Sequence, residues 1–186
     1  MIIVITGPTA VGKTKLSVEL AKKVNGEIIN ADSTQIFKGL DIATAKVTEE
    51  EKENIPHHLL DIKDINEEYT VFDYQKDCRN KIKEILSKNK TPILVGGTGL
   101  YIKAALYDYK FNKETIKNDY SDYSNEKLYE KLLKINPETS IHKNNRKRIE
   151  RELDKYSNNS FNQEKTDKLL YDTTFIGLTT DREKLY

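Results

Sequence analysis

Gly7-Pro8-Thr9-Ala10-Val11-Gly12-Lys13-Thr14 matches the pattern G-x-x-x-x-G-K-[ST] at every fixed position. The apolar run Ile2 to Thr6 before it is of strand type. The segment after it, Thr14 to Val24, places Leu16, Leu20 and Val24 four apart on one helical face. A strand, a glycine-rich turn and a helix in that order make a P-loop. Its glycines let backbone N–H groups turn inward and cradle phosphate oxygens at a helix N-terminus. Lys13 adds a point charge, and the Thr14 hydroxyl can ligate Mg²⁺. The motif therefore points to a ligand bearing a pyrophosphate, without selecting a kinase. A glycine-rich turn holding nothing is the structural alternative, and the flanking strand and helix count against it.

Short apolar runs and helical patterns go on alternating, as in a parallel α/β sheet. Glu27 to Ala31 is the next expected strand, ending at Asp32-Ser33. A long connection follows, through Gly39 to Lys46 and Pro56-His57-His58-Leu59. Thr70, with Asp73 three residues on, opens a helix as a capping box. The apolar stripe of that helix is Val71, Tyr74, Cys78, Ile82, Ile85 and Leu86; Asn89 and Pro92 stop it. Ile93-Leu94-Val95 is a further strand, running into Gly96-Gly97-Thr98-Gly99. The expected fold is α/β: a P-loop NTPase-like core, a parallel sheet flanked by helices, with a small helical insertion domain. Its boundaries are residues 1–107 for the core, 108–172 for the insertion and 173–186 for the return. Residues 108–125 are polar; Leu128, Leu132 and Leu133 mark one amphipathic helix, Ile149 and Leu153 another, and Phe175 to Leu178 a returning strand. The chain stops one turn into a helix that Asp181 would cap, which suggests a truncated protein.

Three further groups can carry chemistry. Asp32-Ser33-Thr34-Gln35 ends a strand on the edge where ligands sit in open α/β sheets. Asp32 can hold Mg²⁺ through water or act as a base, and Gln35 has the donor and acceptor to pair with an adenine edge. An Asx-turn with Gln35 as polar surface accounts for the same residues. Thr98 offers a hydroxyl within a glycine-rich turn that lets a backbone approach closely, although a plain βα turn would look alike. Lys143, Arg146, Lys147, Arg148 and Arg151 lie on a helix interleaved with Glu150, Glu152 and Asp154. Such a run is by default a solvated face, yet its arginines suit phosphate contacts. The adjacent histidines lack metal-ligand spacing; Lys46 could reach a phosphate, but a lone lysine is by default expected at the solvated surface.

With 186 residues and a formal net charge of +1, any nucleic-acid contact must come from local clusters and not from a global field. A single cysteine, Cys78, suits a reducing compartment. The start carries no basic leader, and no run approaches a membrane span, so a cytoplasmic protein is expected.

The ordered set G-P-T-A-V-G-K-T, A-D-S-T-Q-I-F, G-L-D-I-A-T-A-K, P-H-H-L, G-G-T-G-L-Y, I-H-x-N-N-R-x-R-I and F-I-G-L-T-x-D-R resembles the tRNA dimethylallyltransferase (tRNA isopentenyltransferase) family across essentially the whole chain. The resemblance implies transfer of a dimethylallyl group from dimethylallyl diphosphate to the exocyclic amine of the adenosine 3′ of the anticodon, with Mg²⁺ as cofactor. It implies that Gly7, Thr9, Ala10, Val11, Gly12, Lys13, Thr14 and Arg182 hold the pyrophosphate, with Thr14 on the metal. Asp32 would be the general base, assisted by Thr98. Ser33, Thr34 and Gln35, beside Asp32 and Thr98, would meet the adenine. Lys147, Arg148, Ile149, Glu150 and Arg151 would contact the tRNA, and the insertion would grip the anticodon stem-loop. A monomer with no membrane partner is expected.

The chain departs from the family at Ala43, where a glycine is usual, and at Lys143 and Asn145, where proline and aspartate are usual. Family members also run well beyond this length, which puts the activity of the chain by itself in question. An adenylate isopentenyltransferase is the nearest rival, a P-loop kinase the next, and an inert phosphate- or RNA-binding remnant the third. The helical insertion favours tRNA over free nucleotide, and Gly96-Gly97-Thr98-Gly99 has no place in the kinase scheme.

Overall fold

The computed structural model describes residues 1–42, 44–109, 118–157 and 168–180. The chain divides into two compact units: Met1–Tyr109 with Thr166–Tyr186, and Lys110–Lys165.

The larger unit is built on a five-stranded parallel sheet. In chain order its strands are β1 (Ile2–Thr6), β2 (Gly26–Asn30), β3 (His57–His58), β4 (Thr91–Gly96) and β5 (Thr173–Gly177). They lie side by side as β3-β2-β4-β1-β5, all neighbours parallel. Helices cover both faces of the three inner strands, which accounts for the apolar run Ile2 to Ile5 in β1 and the runs Ile28-Ile29 in β2 and Ile93-Leu94-Val95 in β4. On one face α1 (Lys13–Val24) packs Val18 and Ala21 against Ile3, Ile5, Ile28 and Ile93. On the other, α3 (Val71–Ser87) and α4 (Gly99–Leu106) bring Tyr74, Cys78, Ile82, Ile85, Ile102 and Leu106 onto Val4, Ile29 and Leu94. Five of the six stripe positions expected for α3 lie against or within this core; Leu86 is 38% exposed, and Gln75 is buried on the same helix. Gln75 Nε2 donates to the Ala104 and Tyr109 carbonyls, and Arg79 donates to those of Ala104, Ala105 and Tyr107. The last-turn carbonyls of α4, which a helix leaves without partners, are thereby satisfied from α3.

The long connection after β2 is more structured than its sequence suggests. It holds a single helical turn, α2 (Glu49–Lys52), capped by Thr48, and the two-residue β3. Neither has enough residues to show a period. Glu27, 4% exposed, is the charged group that fixes this edge: it accepts from His58 Nε2 at 2.7 Å and from Lys90 Nζ at 2.7 Å. Burial works to raise the Glu27 pKa, but the Lys90 and His58 hydrogen bonds prevail and hold it below the ordinary value.

In the smaller unit, α5 (Asn125–Ile135) and α6 (Arg146–Ser157) bury Leu128 and Leu132 against Ile149 and Leu153. Tyr120, Tyr123 and Tyr129 close over that core. The side chain of Asn145 accepts from the Arg148 N–H at 3.3 Å, so asparagine caps α6 adequately. Arg182, Asp181 and Ala43 lie outside the described residues.

Because the folded carboxylate of Glu27 has a lowered pKa, its contribution is complete above the ordinary value of 4.5 and is lost as pH falls below it. Glu27→Gln should cost about 2 kcal/mol at pH 7, the scale of charge-assisted bonds. The gap in thermal midpoint between the two proteins should close below pH 4.5; a constant gap would show that the charge is not what matters.

Candidate active site

The sheet order sets β4 between β1 and β2, so the turns that follow these three strands share one edge. Those turns are the P-loop, Ala31 to Gln35, and Gly97 to Thr98. A Cβ on Gly96 would lie 2.3 Å from the Ala31 carbonyl carbon and oxygen, so only glycine lets the ends of β4 and β2 meet. Across that contact the Thr98 N–H donates to the Ala31 carbonyl at 3.1 Å. The Ser33 N–H in turn donates to Thr98 Oγ1 at 3.0 Å. Thr98 is therefore joined directly to the segment carrying Asp32.

Asp32 is oriented from both sides. Its N–H donates to Asn30 Oδ1 at 3.0 Å, and Asn30 Nδ2 donates back to the Asp32 carbonyl and to that of Leu59. Carboxylate oxygen Oδ1 accepts from the Thr34 N–H at 3.0 Å and from the Thr34 hydroxyl at 2.7 Å. This is the Asx-turn the sequence allows, and it uses only one of the two oxygens. The sequence did not single out Asn30, which looks like any polar residue at a strand end. It is 4% exposed, and the Tyr74 hydroxyl donates to its carbonyl at 2.9 Å. Tyr74 also stacks on Tyr101, with centroids 3.9 Å apart.

In the P-loop, Ala10 and Gly12 have positive φ, 64° and 90°. Gly12 is the N-cap of α1 and has no side chain to cap with, and the first turn holds no acidic residue. Thr98 at the start of α4 makes no side-chain cap bond either. By contrast Thr48, Thr70 and Ser124 cap α2, α3 and α5. The two helices that begin at this edge thus keep their first-turn N–H groups free of a side-chain cap, as anion binding requires. Lys13 Nζ donates to the carbonyls of Gly7 at 2.9 Å and Pro8 at 2.6 Å. Burial lowers the Lys13 pKa, and the negative charge of Asp32 works the other way.

Gln35 Nε2 donates to the carbonyls of Thr44, at 3.0 Å, and Ala45, at 3.4 Å. Lys46, expected at the solvated surface, is instead 5% exposed at its side chain. It donates to the Phe37 carbonyl at 2.9 Å, to Asp41 at 2.7 Å and to Asp61 at 2.5 Å. Burial acts to lower its pKa, yet the two carboxylates hold it above the ordinary lysine value. Gln35 and Lys46 together fasten the connection after β2 beside Asp32. Beside Thr6, a cavity of about 560 Å³ runs along α4, lined by Gly99, Ile102, Lys103, Tyr107 and Phe175.

On α6, Lys147, Arg148 and Arg151 are exposed. Glu150 pairs with Arg146 at 2.7 Å. Ile149 is 0% exposed within the core of its unit, so its side chain is a packing residue and not an RNA contact. Among the described residues no cluster of three or more His, Cys, Asp or Glu could hold a metal ion.

A parallel sheet with a glycine-rich phosphate loop, and an acid and a hydroxyl on the adjoining strand ends, defines a P-loop NTPase-like α/β protein. Residues 35–186 match the family described as IPP transferase, and the chain belongs to that family. It is 47% identical over 196 residues to the tRNA dimethylallyltransferase of Anoxybacillus flavithermus, covering 100% of this chain and 63% of that protein. It is 46% identical over 204 residues to the Bacillus subtilis tRNA dimethylallyltransferase, covering 100% of this chain and 64% of that one. Among solved structures, a tRNA delta(2)-isopentenylpyrophosphate transferase from Staphylococcus epidermidis superposes with a TM-score of 0.66 at 42% identity, over 99% of this chain and 65% of that one. A eukaryotic dimethylallyltransferase acting on tRNA gives 0.82 at 35% identity, over 99% and 49%. The chain thus spans a little under two thirds of the length of the curated relatives it matches.

Lys46→Met keeps the stem and removes the charge that ties Phe37, Asp41 and Asp61 together. It should cost about 1–3 kcal/mol, the scale of a lost buried charged donor. It should also expose residues 38–48 to limited proteolysis while α1 and β1 stay protected. Unchanged cleavage there would mean that Gln35 alone fastens the segment.

Proposed function

We propose that the chain transfers a dimethylallyl group from dimethylallyl diphosphate to the exocyclic amine of the adenosine 3′ of the anticodon in tRNA, releasing pyrophosphate. The observation that carries this reading is Asp32: a carboxylate oriented through Oδ1 by Thr34, on the sheet edge it shares with Lys13 and Thr98. An aromatic amine is a weak nucleophile, so it needs a placed base and a carbon bearing a good leaving group.

In this scheme Lys13 exchanges the carbonyls of Gly7 and Pro8 for oxygens of the diphosphate. The first-turn amides of α1, with Gly7, Thr9, Ala10, Val11, Gly12 and Thr14, cradle the same group. The amine nitrogen attacks the allylic carbon as its bond to oxygen breaks. The bonding pair leaves with pyrophosphate, and the amine proton passes to the second oxygen of Asp32. Thr98 holds Ser33 and so keeps that carboxylate in place. Ser33, Thr34 and Gln35 present the polar groups that meet the adenine edge, and extrusion of the base from its stack makes its amine accessible. The cavity beside Thr6 has room for the five-carbon chain. Arg182 is assigned to the leaving pyrophosphate on resemblance alone.

The donor set suits a Mg²⁺ that arrives on the diphosphate: a hydroxyl at Thr14, one nearby carboxylate and no carboxylate cage among the described residues. Thr14 would hold the ion, which supplies charge neutralisation to the leaving group.

Lys147, Arg148 and Arg151 are the RNA-backbone contacts in this reading, and the smaller unit is the stem-loop grip. Among the described residues no helix is long and apolar enough to cross a membrane. We place the protein in the cytoplasm, where a lone buried thiol is at home and tRNA is available, and as a monomer.

Incubation with labelled dimethylallyl diphosphate, Mg²⁺ and an unmodified anticodon stem-loop should label the RNA and leave free AMP unlabelled. Asp32→Asn should lower that transfer at least ~10²-fold, the usual scale of general-base catalysis, with RNA binding retained. Undiminished transfer would remove Asp32 from the base role, and labelling of AMP alone would make the protein an adenylate isopentenyltransferase. Replacing Lys147 and Arg148 together by alanine should weaken stem-loop binding and shallow its log-salt slope by roughly one per lost phosphate contact. A change confined to isoprenoid affinity would instead place α6 away from the RNA.

A further inference from the structure

His57 and His58 are adjacent but serve different surroundings, since successive side chains of a strand point to opposite faces. His58 is accounted for by Glu27. His57 Nδ1 lies 2.8 Å from the Ile55 carbonyl, an acceptor, so Nδ1 carries the proton and Nε2 presents a lone pair. Nε2 is buried and is the one such side-chain atom without a hydrogen-bond partner among the described residues. Burial also lowers the His57 pKa, which keeps the ring neutral near pH 7. A buried acceptor with no partner costs free energy unless something donates to it.

The ring lines a cavity of about 30 Å³ together with Thr14 and Ser17 of α1, Asn30 of β2, Gln35 and Val47. That volume admits one water molecule, which needs two to four polar partners. The side-chain amide of Asn30 is already engaged at both ends, and Ser17 Oγ donates to the Thr14 carbonyl. Gln35 has its Nε2 committed to Thr44 and Ala45, which fixes that nitrogen as donor and leaves its amide oxygen as acceptor. A water has two protons, and His57 and Gln35 supply two acceptors on the walls of one cavity.

We infer that His57 is a positioning residue for Gln35, acting through a single buried water that donates to His57 Nε2 and to the Gln35 amide oxygen. The water ties β3 to the segment that runs from Gln35 to Val47 and sets which end of the Gln35 amide faces each side. Its consequence for base selection rests on the proposed function; the water and the tautomer do not.

The test begins with the wild-type chain. Nitrogen-15 NMR of its imidazoles at pH 7 should show His57 as the Nδ1–H tautomer, with Nε2 unprotonated and in through-space contact with a long-lived water. An Nε2–H tautomer, or a ring with no bound water, would overturn the inference whatever the enzyme does. In the transfer assay, His57→Phe fills the space without an acceptor. It should raise KM for the stem-loop by up to about tenfold, the worth of one hydrogen bond, with kcat and the KM for dimethylallyl diphosphate little changed. His57→Gln, which restores an acceptor, should recover part of that loss. Equal effects on all three constants, or no rescue, would reduce His57 to a packing residue.

Discussion

The end of β4 passes so close to the end of β2 that a single methyl group at Gly96 would collide with the Ala31 backbone. The candidate site residues Asp32 and Thr98 at this edge are positioned by that contact. It brings the Thr98 N–H onto the Ala31 carbonyl and Thr98 Oγ1 under the Ser33 N–H, and so it fixes the turn on which Asp32 rides. The same strand borders β1 on its other side, in register from Ile3–Ile93 to Thr6–Gly96, which sets the P-loop beside that turn. A sheet of another order would contain the same motifs and scatter them. Gly7 is constrained in a comparable way from the far side, because a Cβ there would lie 2.4 Å from the Leu178 carbonyl oxygen.

Electrostatics then distinguishes the helices of this edge from the others. Where a helix only has to be stable, a side chain caps it: Thr48 with Glu51 and Thr70 with Asp73 form reciprocal boxes, and Ser124 caps α5. Where a helix starts over the site, the cap is given up. Gly12 cannot provide one, and the Thr98 hydroxyl is turned to Ser33. The omitted side-chain cap costs only about a few tenths of a kcal/mol at Gly12, since glycine is itself a tolerated N-cap, and about 1 kcal/mol at Thr98. The cost is met by packing: α1 sits on Ile3, Ile5 and Ile93, and α4 is held by Gln75 and Arg79 at its other end. The uncapped starts of α1 and α4 are thus offset by packing and hydrogen bonds further along the same helices.

Much of this was legible beforehand, and the parts that were not share a physical cause. β1, β2 and β4 announce themselves as short apolar runs, and α1, α3, α5 and α6 through periodicity, because each of those helices buries one face against a core. The P-loop was legible because few residue types satisfy its backbone. By contrast β3 has two residues and α2 four, too few for any period. Lys46 reads as solvated because a sequence shows a charge but not the two carboxylates, five residues before and fifteen after, that allow it to be buried. Asn30 escaped notice because its role is to hydrogen-bond backbone that only the folded turn presents. Ile149 stands among basic residues in the sequence, although its helical phase with Leu153 places it inward.

The connection between β2 and α3 therefore holds the greater part of what is specific to this protein. A P-loop and a glycine-rich β4 turn would serve any phosphate ester. What the chain adds is a connection tied at three points by side chains: Gln35 to the Thr44 carbonyl, Lys46 to Asp61, and Asn30 to the Leu59 carbonyl. Of these side chains, Asn30 and Lys46 are sheltered from water, where an unmet donor is costly and a met one is rigid. Rigidity here has a chemical use. A base must meet its proton within hydrogen-bond reach, and a carboxylate on a loose loop would spend most of its time elsewhere. In the proposed reaction, holding Asp32 still while Lys13 exchanges two carbonyls for a diphosphate would separate the part of the site that must be fixed before substrate arrives from the part that responds to it.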